Sequence, residues 1–261
     1  MSGKRSALLI VILLALGVRV SSGGAQTAES SPGGSQDSTA TAGDARAGSS
    51  DAALAEFAAF VLDDVQRTWS DRFAHTGTPY RSTELGLFSG STVTGCGPAS
   101  SDSGPFYCPS DGRVYLDLAF FRELEVRFGA PGDFAQAYVI AHEVGHHVQN
   151  LLGVAQQVSE ARRASPWRAN DLSVGLELQA DCYAGIWARS TSSRGLLERG
   201  DLQEGLTAAA AVGDDRIQAA STGMINPETW THGSAEQRAE WFGRGFEAGD
   251  PRACDTFAEV V

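Results

Sequence analysis

The sequence feature that most constrains the fold is a pair of histidines separated by three residues. His142, Glu143 and His146 lie in the run HEVGH. On an α-helix, residues four positions apart project from the same face, so both imidazoles can bind one metal ion while Glu143 lies beside them. The pattern is typical of zinc hydrolases, in which the glutamate is the general base. Five-residue matches also occur by chance, with both histidines on a solvated helix face, so the context decides the meaning.

The surrounding residues predict one uninterrupted helix over 133–152. Asp133 and Gln136 have the spacing of a capping box, and Gly153 suits the left-handed residue that follows a helix. Apolar residues recur at helical spacing and predict a face packed into a core: Ala137, Ile140, Ala141, Val144, Val148, Leu151 and Leu152. The histidines flank this apolar face, so the pattern lies in mid-helix at the boundary of a core.

Two carboxylates downstream extend the predicted site. Glu177 and Asp181 lie four positions apart on a predicted helix over 171–189 that is apolar on one side. Glu177 is the candidate third metal ligand, which leaves the fourth position for water, and Asp181 is the candidate that orients a ligand histidine. The same ligand types hold iron in some oxygenases, but that chemistry has no use for Glu143. The sequence therefore favours one zinc ion per chain.

Several segments, taken in order, resemble the bacterial neutral zinc metallopeptidase family, a gluzincin-like group. They begin at His142 (HEVGHHVQNLLG), Glu177 (ELQADCYAGIW) and Thr231 (THGSAEQR), with further matches at Gly104 (GPFYCPSDGRVYLD) and Gly213 (GDDRIQ). The resemblance implies a metallopeptidase that hydrolyses peptide bonds in a protein or peptide substrate. Two alternatives stay open: a binding module with a structural zinc, against which Glu143 argues, and a zinc hydrolase of non-peptide amides.

The resemblance also implies roles outside the central pattern. His232 precedes a predicted capping box at Ser234 and Gln237, and would act in catalysis by hydrogen-bonding the oxyanion of a tetrahedral intermediate. The alternative is a histidine that serves only its turn. Tyr115 is a second candidate for the oxyanion. Its strand, 114–117, would be an edge strand that pairs with extended substrate, or else an ordinary strand that covers the core.

The remaining pattern predicts an α+β, mostly helical, zincin-like domain over 51–261. Apolar residues at helical spacing predict a first helix over 51–73. Short runs separated by Gly, Pro and Ser predict a small antiparallel sheet before the zinc helix, with strands at 85–88, 91–94 and 113–118.

The N-terminal residues predict export. Lys4 and Arg5 precede the apolar run 7–18 and then small residues, which is typical of a signal peptide over 1–25, cleaved after Ala25, or of a short membrane anchor. In both cases the domain would be extracytoplasmic: periplasmic, in the cell envelope or secreted. Residues 26–50 have few large apolar side chains and predict a disordered linker.

The four cysteines favour disulfides in an exported chain. Four cysteines allow three pairings; Cys96 and Cys108 flank a Gly, Pro and Ser-rich loop, which favours pairing them and leaves Cys182 with Cys254. A cysteine zinc site is the rival, but the sequence has no pair with C-x-x-C spacing. The net charge of −12 argues against binding to nucleic acid or to anionic membranes through bulk charge, and we expect a monomer.

Overall fold

The computed structural model describes the backbone of residues 42–258 and the side chains from Asp51 onward. The predicted signal peptide or anchor and most of the predicted linker lie outside these residues. The helices and strands are α1 Ala42–Phe73, β1 Glu84–Phe88, β2 Ser91–Thr94, β3 Gly97–Ser100, β4 Phe106–Cys108, β5 Arg113–Asp117, α2 Ala119–Val126, α3 Asp133–Leu151, α4 Val154–Ala164, α5 Ala169–Ser193, α6 Asp201–Ala211, α7 Asp214–Thr222 and α8 Ala235–Ala248. The α+β, mostly helical class is therefore confirmed. No helix in this part of the chain combines the length and the apolar character that a membrane span requires.

The first helix is longer than predicted, since α1 begins at Ala42 and not at Asp51. Residues 42–50 contain three alanines, which have the highest intrinsic helix propensity, together with Gly43 and Gly48, which disfavour a helix. Further along α1, one face is buried against the core: Ala58, Val61, Leu62, Val65, Trp69 and Phe73. This face attaches α1 to the helices that carry the candidate ligands.

The small sheet precedes α3 as predicted, but it is not wholly antiparallel. Its strand order is β1-β5-β4, with β1 parallel and β4 antiparallel to β5, and β2 and β3 form a separate antiparallel pair. Because β5 is paired on both sides, the prediction that residues 114–117 form an edge strand is wrong. Val114 and Leu116 are buried, as the alternative of a core-covering strand expects.

Glycines allow the central helices to approach closely. A Cβ atom at Gly145 of α3 would lie 3.0 Å from the carbonyl oxygen of Ala180 on α5. Side chains at Gly185 of α5 or Gly245 of α8 would overlap the backbone of the facing helix. The middle of α5 is therefore in close contact with both α3 and α8, and the residues on the facing surfaces of these helices lie within side-chain reach of one another.

The start of α3 differs from the predicted capping box. Its N-cap is Gly132, which has no side chain to cap with, and the Phe134 N–H donates to the Glu204 carboxylate of α6 at 3.3 Å. A carboxylate distant in sequence therefore replaces the local cap. At the other end, Gly153 has a φ of 76°, as the sequence predicts.

Both disulfides join the expected cysteines, Cys96 with Cys108 and Cys182 with Cys254. The second bond closes a sequence separation of 72 residues and attaches the C-terminal segment to α5. In the chain-entropy treatment, a loop of this length gives a stabilisation of about 4 kcal/mol.

A buried carboxylate joins α1 to α5. Asp64 accepts hydrogen bonds from Trp187 Nε1 at 2.9 Å, Thr191 Oγ1 at 3.1 Å and Arg194 Nη2 at 2.7 Å. Burial alone would raise the pKa of Asp64, but these donors, Arg194 foremost, outweigh it and hold the pKa below its ordinary value. The ionised form therefore stabilises the fold above about pH 4, and this contribution is lost as the pH falls through the folded-state pKa.

We expect Asp64→Ala to lower the free energy of unfolding by about 3 kcal/mol at pH 7, because it leaves Arg194 and the other donors without their partner. Urea unfolding measures this loss, and the difference from wild type should shrink toward pH 3. Asp63→Ala is the matched control, since Asp63 is exposed on the same helix. Equal losses in the two variants would contradict the assigned role of Asp64.

Candidate metal centre

The structure brings the three predicted ligands together. His142 Nε2 lies 3.2 Å from His146 Nε2 and 3.2 Å from Glu177 Oε2, and His146 Nε2 lies 3.5 Å from Glu177 Oε1. The two histidines share one face of α3, and Glu177 reaches them from α5, which Gly145 allows to approach. His142 and Glu177 are buried and His146 is partly buried, and their ligating atoms lie within 4.8 Å of one another.

The hydrogen bonds of the histidines fix which ring nitrogens face the cluster. His142 Nδ1 lies 2.8 Å from Asp181 Oδ1, and His146 Nδ1 lies 2.9 Å from Gln149 Oε1. Both partners are acceptors, so each Nδ1 carries a hydrogen and each Nε2 is the ring nitrogen that faces Glu177. Three electron-rich groups this close repel one another unless a cation or a proton lies between them.

The donor set fits zinc. Tetrahedral ligands at about 2.0–2.1 Å from a zinc ion lie about 3.3 Å from one another. The observed separations of 3.2, 3.2 and 3.5 Å are close to this spacing, with His142 facing Oε2 and His146 facing Oε1 of the Glu177 carboxylate. Two imidazoles and one carboxylate are also the ligand types of catalytic zinc sites that keep one open position.

The electrostatics of the cluster favour positive charge. Burial lowers the pKa of His142, but Asp181 and then Glu177 outweigh it and raise the pKa to about 9. Burial raises the pKa of Glu177, but the charge of His146 and its bonds to both histidines hold it well below the ordinary value. Glu177 is therefore ionised, and a proton on His142 Nε2 lies where a metal ion would replace it.

Glu143 follows His142 on α3 and is 8% exposed. Among the described residues its carboxylate makes no hydrogen bond, and its negative charge contributes to raising the pKa of His146 against the effect of burial. A buried carboxylate therefore lies beside the candidate ligands, with no hydrogen bond from the described residues to either oxygen.

His232 is held by Asp214, which lies at the start of α7. His232 Nδ1 is 3.0 Å from Asp214 Oδ1, while Asp214 Oδ2 accepts the N–H groups of Thr231, His232 and Gly233 at 2.7, 2.7 and 3.1 Å. Burial lowers the pKa of His232, but Asp214 and the charge of Glu177 outweigh it and raise the pKa. His232 is thus within electrostatic reach of the cluster, with Nδ1 occupied and Nε2 left for another partner.

Tyr115 makes its contacts on the sheet. Its hydroxyl donates to Asp111 Oδ2 at 2.8 Å, and its ring stacks on Phe106 with centroids 5.3 Å apart. Neither partner belongs to the cluster, so the structure does not bring Tyr115 together with the three ligands.

Sequence reasoning missed Arg238, which is buried beside Asp181. Arg238 donates to Asp181 through Nε at 2.8 Å and Nη2 at 3.0 Å, and to the Val212 carbonyl through Nη1 at 3.2 Å. Asp181 Oδ1 also accepts the hydroxyl of Tyr138 and the Nδ1–H of His142. Asp181 is fully buried, so its negative charge depends on these donors.

One signal in the sequence points to Arg238. It shares a helical face with Trp241, Phe242 and Gly245, and an arginine on an otherwise apolar face requires a buried anionic partner. Gln149 was also missed; it lies one turn beyond His146, within the segment that carries the family resemblance, but nothing local distinguishes it from a surface amide.

The fold and the cluster define the class of protein: an α+β, mostly helical domain whose HExxH helix supplies two histidines, with a glutamate from a second helix beside them, as in zinc-dependent metallopeptidases. The chain belongs to the family described as "Putative neutral zinc metallopeptidase", whose profile matches residues 1–257.

Two relatives show how far the similarity extends. The "Uncharacterized protein YpfJ" of Escherichia coli (strain K12) is 49% identical over 208 residues, which cover 79% of this chain and 72% of the relative. The "Uncharacterized protein Rv2575" of Mycobacterium tuberculosis (strain ATCC 25618 / H37Rv) is 53% identical over 193 residues, which cover 69% of this chain and 64% of the relative. A search of solved structures finds no match.

Proposed function

We propose that the protein is a zinc-dependent metallopeptidase in which His142, His146 and Glu177 hold one zinc ion. The proposal is supported most by the convergence of these three donors next to the carboxylate of Glu143, which accepts no hydrogen bond from the described residues. When bound, zinc supplies a Lewis acid that polarises a carbonyl and lowers the pKa of a water molecule from 15.7 to about 7. A site with only a structural role has no need of Glu143.

The protein's own residues then move the protons. Glu143 accepts a proton from the attacking water and passes it to the leaving amine. Its carboxylate can do so because no described residue donates a hydrogen bond to it. His232 is held through Nδ1 by Asp214, and its Nε2–H donates a hydrogen bond to the oxyanion. Asp181 orients His142 so that Nε2 faces the other donors.

We further propose that the enzyme acts outside the cytoplasm on proteins or peptides, as a monomer. The two disulfides support this location, because such bonds persist in oxidising compartments. The basic and apolar N-terminal residues support export through a signal peptide or a membrane anchor.

The test is zinc content and the hydrolysis of casein and of a peptide library by the purified protein, before and after a chelator. We expect about one zinc per chain, and hydrolysis that a chelator abolishes and added zinc restores. Bound zinc without hydrolysis would favour a metal-stabilised binding module. Activity on non-peptide amides alone would replace peptides as the substrate, and a protein that binds no zinc would overturn the assignment.

A further inference from the structure

A buried glutamine links the two helices that carry the ligands. Gln149 of α3 is 1% exposed, and its Oε1 accepts the Nδ1–H of His146 at 2.9 Å. Its Nε2 donates to the Leu176 carbonyl at 2.7 Å and to Gln179 Oε1 at 3.1 Å, both on α5. Gln149 therefore uses one acceptor and both donor hydrogens, and one of its partners directly precedes Glu177.

A second buried amide continues the connection. Gln179 is 6% exposed, and its Nε2 donates to the carbonyl oxygen of Cys254 at 3.0 Å. This oxygen is held in place from two sides, because Cys254 is bonded to Cys182 of α5 and the Thr256 hydroxyl donates to the Gly175 carbonyl at 2.6 Å. The C-terminal segment thus presents a fixed acceptor to α5.

The backbone carbonyl groups of Cys254 and Leu176 determine which end of each glutamine amide donates and which accepts. A carbonyl only accepts, so Gln179 must turn its Nε2 toward Cys254 and its Oε1 toward Gln149. Gln149 must then turn its Nε2 toward Leu176 and Gln179, and its Oε1 toward His146. His146 must therefore carry its hydrogen on Nδ1, which leaves the Nε2 lone pair for the ligand cluster.

We propose that Gln149 and Gln179 are positioning residues that set the tautomer and ring orientation of His146, with the Cys254 carbonyl as the anchor of this amide relay. The relay does for His146 what Asp181 does for His142. The inference rests on the proposed zinc site but not on peptidase activity. Gln149 should have the larger effect on zinc affinity, because it contacts His146 itself, and Gln179 the smaller effect, because it acts only through Gln149.

The test is the zinc dissociation constant of the full chain, measured by competition with a chelating indicator. We expect Gln149→Leu to weaken zinc binding by about 10- to 100-fold, the range for partners that orient metal-bound histidines. Gln179→Leu should weaken it less, and the double variant should lose no more than Gln149→Leu alone, because the two residues act in series. Gln157→Leu, at an exposed glutamine of α4, is the matched control and should bind zinc like wild type.

Thermal unfolding of the metal-free proteins separates positioning from a loss of fold. Zinc affinity that falls while the metal-free midpoint is retained supports the relay, as does the lack of additivity. A Gln149→Leu variant that binds zinc within twofold of wild type, or losses that add fully in the double variant, would overturn it. If Gln149→Leu does not fold, Gln149→Asn, which withdraws the amide by one methylene, replaces it under the same criteria. Failure of the wild type to bind zinc would instead reject the proposed function.

Discussion

Replacing Glu143 by glutamine is expected to reduce peptide hydrolysis by about 10³-fold, within the 10²- to 10⁴-fold range of general acid–base catalysis, while zinc stays bound. Glutamine has nearly the same shape as glutamate, but its amide does not accept the proton that the attacking water must lose. Because Glu143 is not among the converging donors, the change leaves His142, His146 and Glu177 in place. Initial rates on a peptide substrate and zinc content per chain measure the two halves of this prediction.

Glu240→Gln is the control, since Glu240 is exposed on α8 and the substitution removes the same charge from the protein surface. It should retain wild-type rates and zinc content. Two results would argue against the assigned role of Glu143. If Glu143→Gln stays within tenfold of the wild-type rate, another group takes the proton; if it loses zinc, Glu143 belongs to the metal-binding set.

Replacing Arg238 by methionine is expected to lower the free energy of unfolding by about 3–5 kcal/mol and to weaken zinc binding. Methionine fills similar space but leaves the charge of Asp181 buried without its two guanidinium bonds. The charge of Arg238 also helps to hold the pKa of Asp181 below its ordinary value against the effect of burial. Urea unfolding of the metal-free protein and zinc competition measure the two effects.

A second substitution identifies the cause of the expected loss. If the unpaired charge of Asp181 causes it, Asp181→Asn should restore part of the stability of Arg238→Met, although each change alone is destabilising. Arg216→Met, at an exposed arginine of α7, should change stability by less than about 0.5 kcal/mol. Losses that add in the double variant would mean that Arg238 stabilises the protein through other contacts.

The three candidate ligand positions could be predicted because the information is local. The i,i+4 spacing of His142 and His146 places them on one face of any helix, and the apolar stripe beside them indicates which face meets the core. Glu177 and Asp181 follow by the same reasoning on α5. The structure brings His142, His146 and Glu177 together and sets Asp181 against His142, although their chemical roles stay predictions.

The features that were missed depend on contacts between distant parts of the chain. Arg238 and Asp181 are 57 positions apart, and Gln149 and Gln179 are 30 apart, so no periodicity connects them. Glu204, which accepts from the N–H of Phe134 at the start of α3, lies 70 positions away from it. The central position of β5 likewise depends on its pairing with β1, which is distant in the sequence. Helix propensity and spacing determine which face of a helix is buried, but the fold determines what that face contacts.

The order of the supporting residues along the chain has a consequence for when the site forms. The three candidate ligands and Asp181 precede residue 182, whereas Arg238 and Cys254 follow it by more than 50 positions. A nascent chain that emerges N-terminus first therefore contains every ligand before it contains the guanidinium that balances Asp181 or the carbonyl that anchors Gln179. Under the proposed function, we therefore expect metal binding to strengthen once the C-terminal segment has docked on α5 and the bond between Cys182 and Cys254 has formed. In a peptidase, such an order would delay hydrolysis until the chain itself has folded and is less open to cleavage.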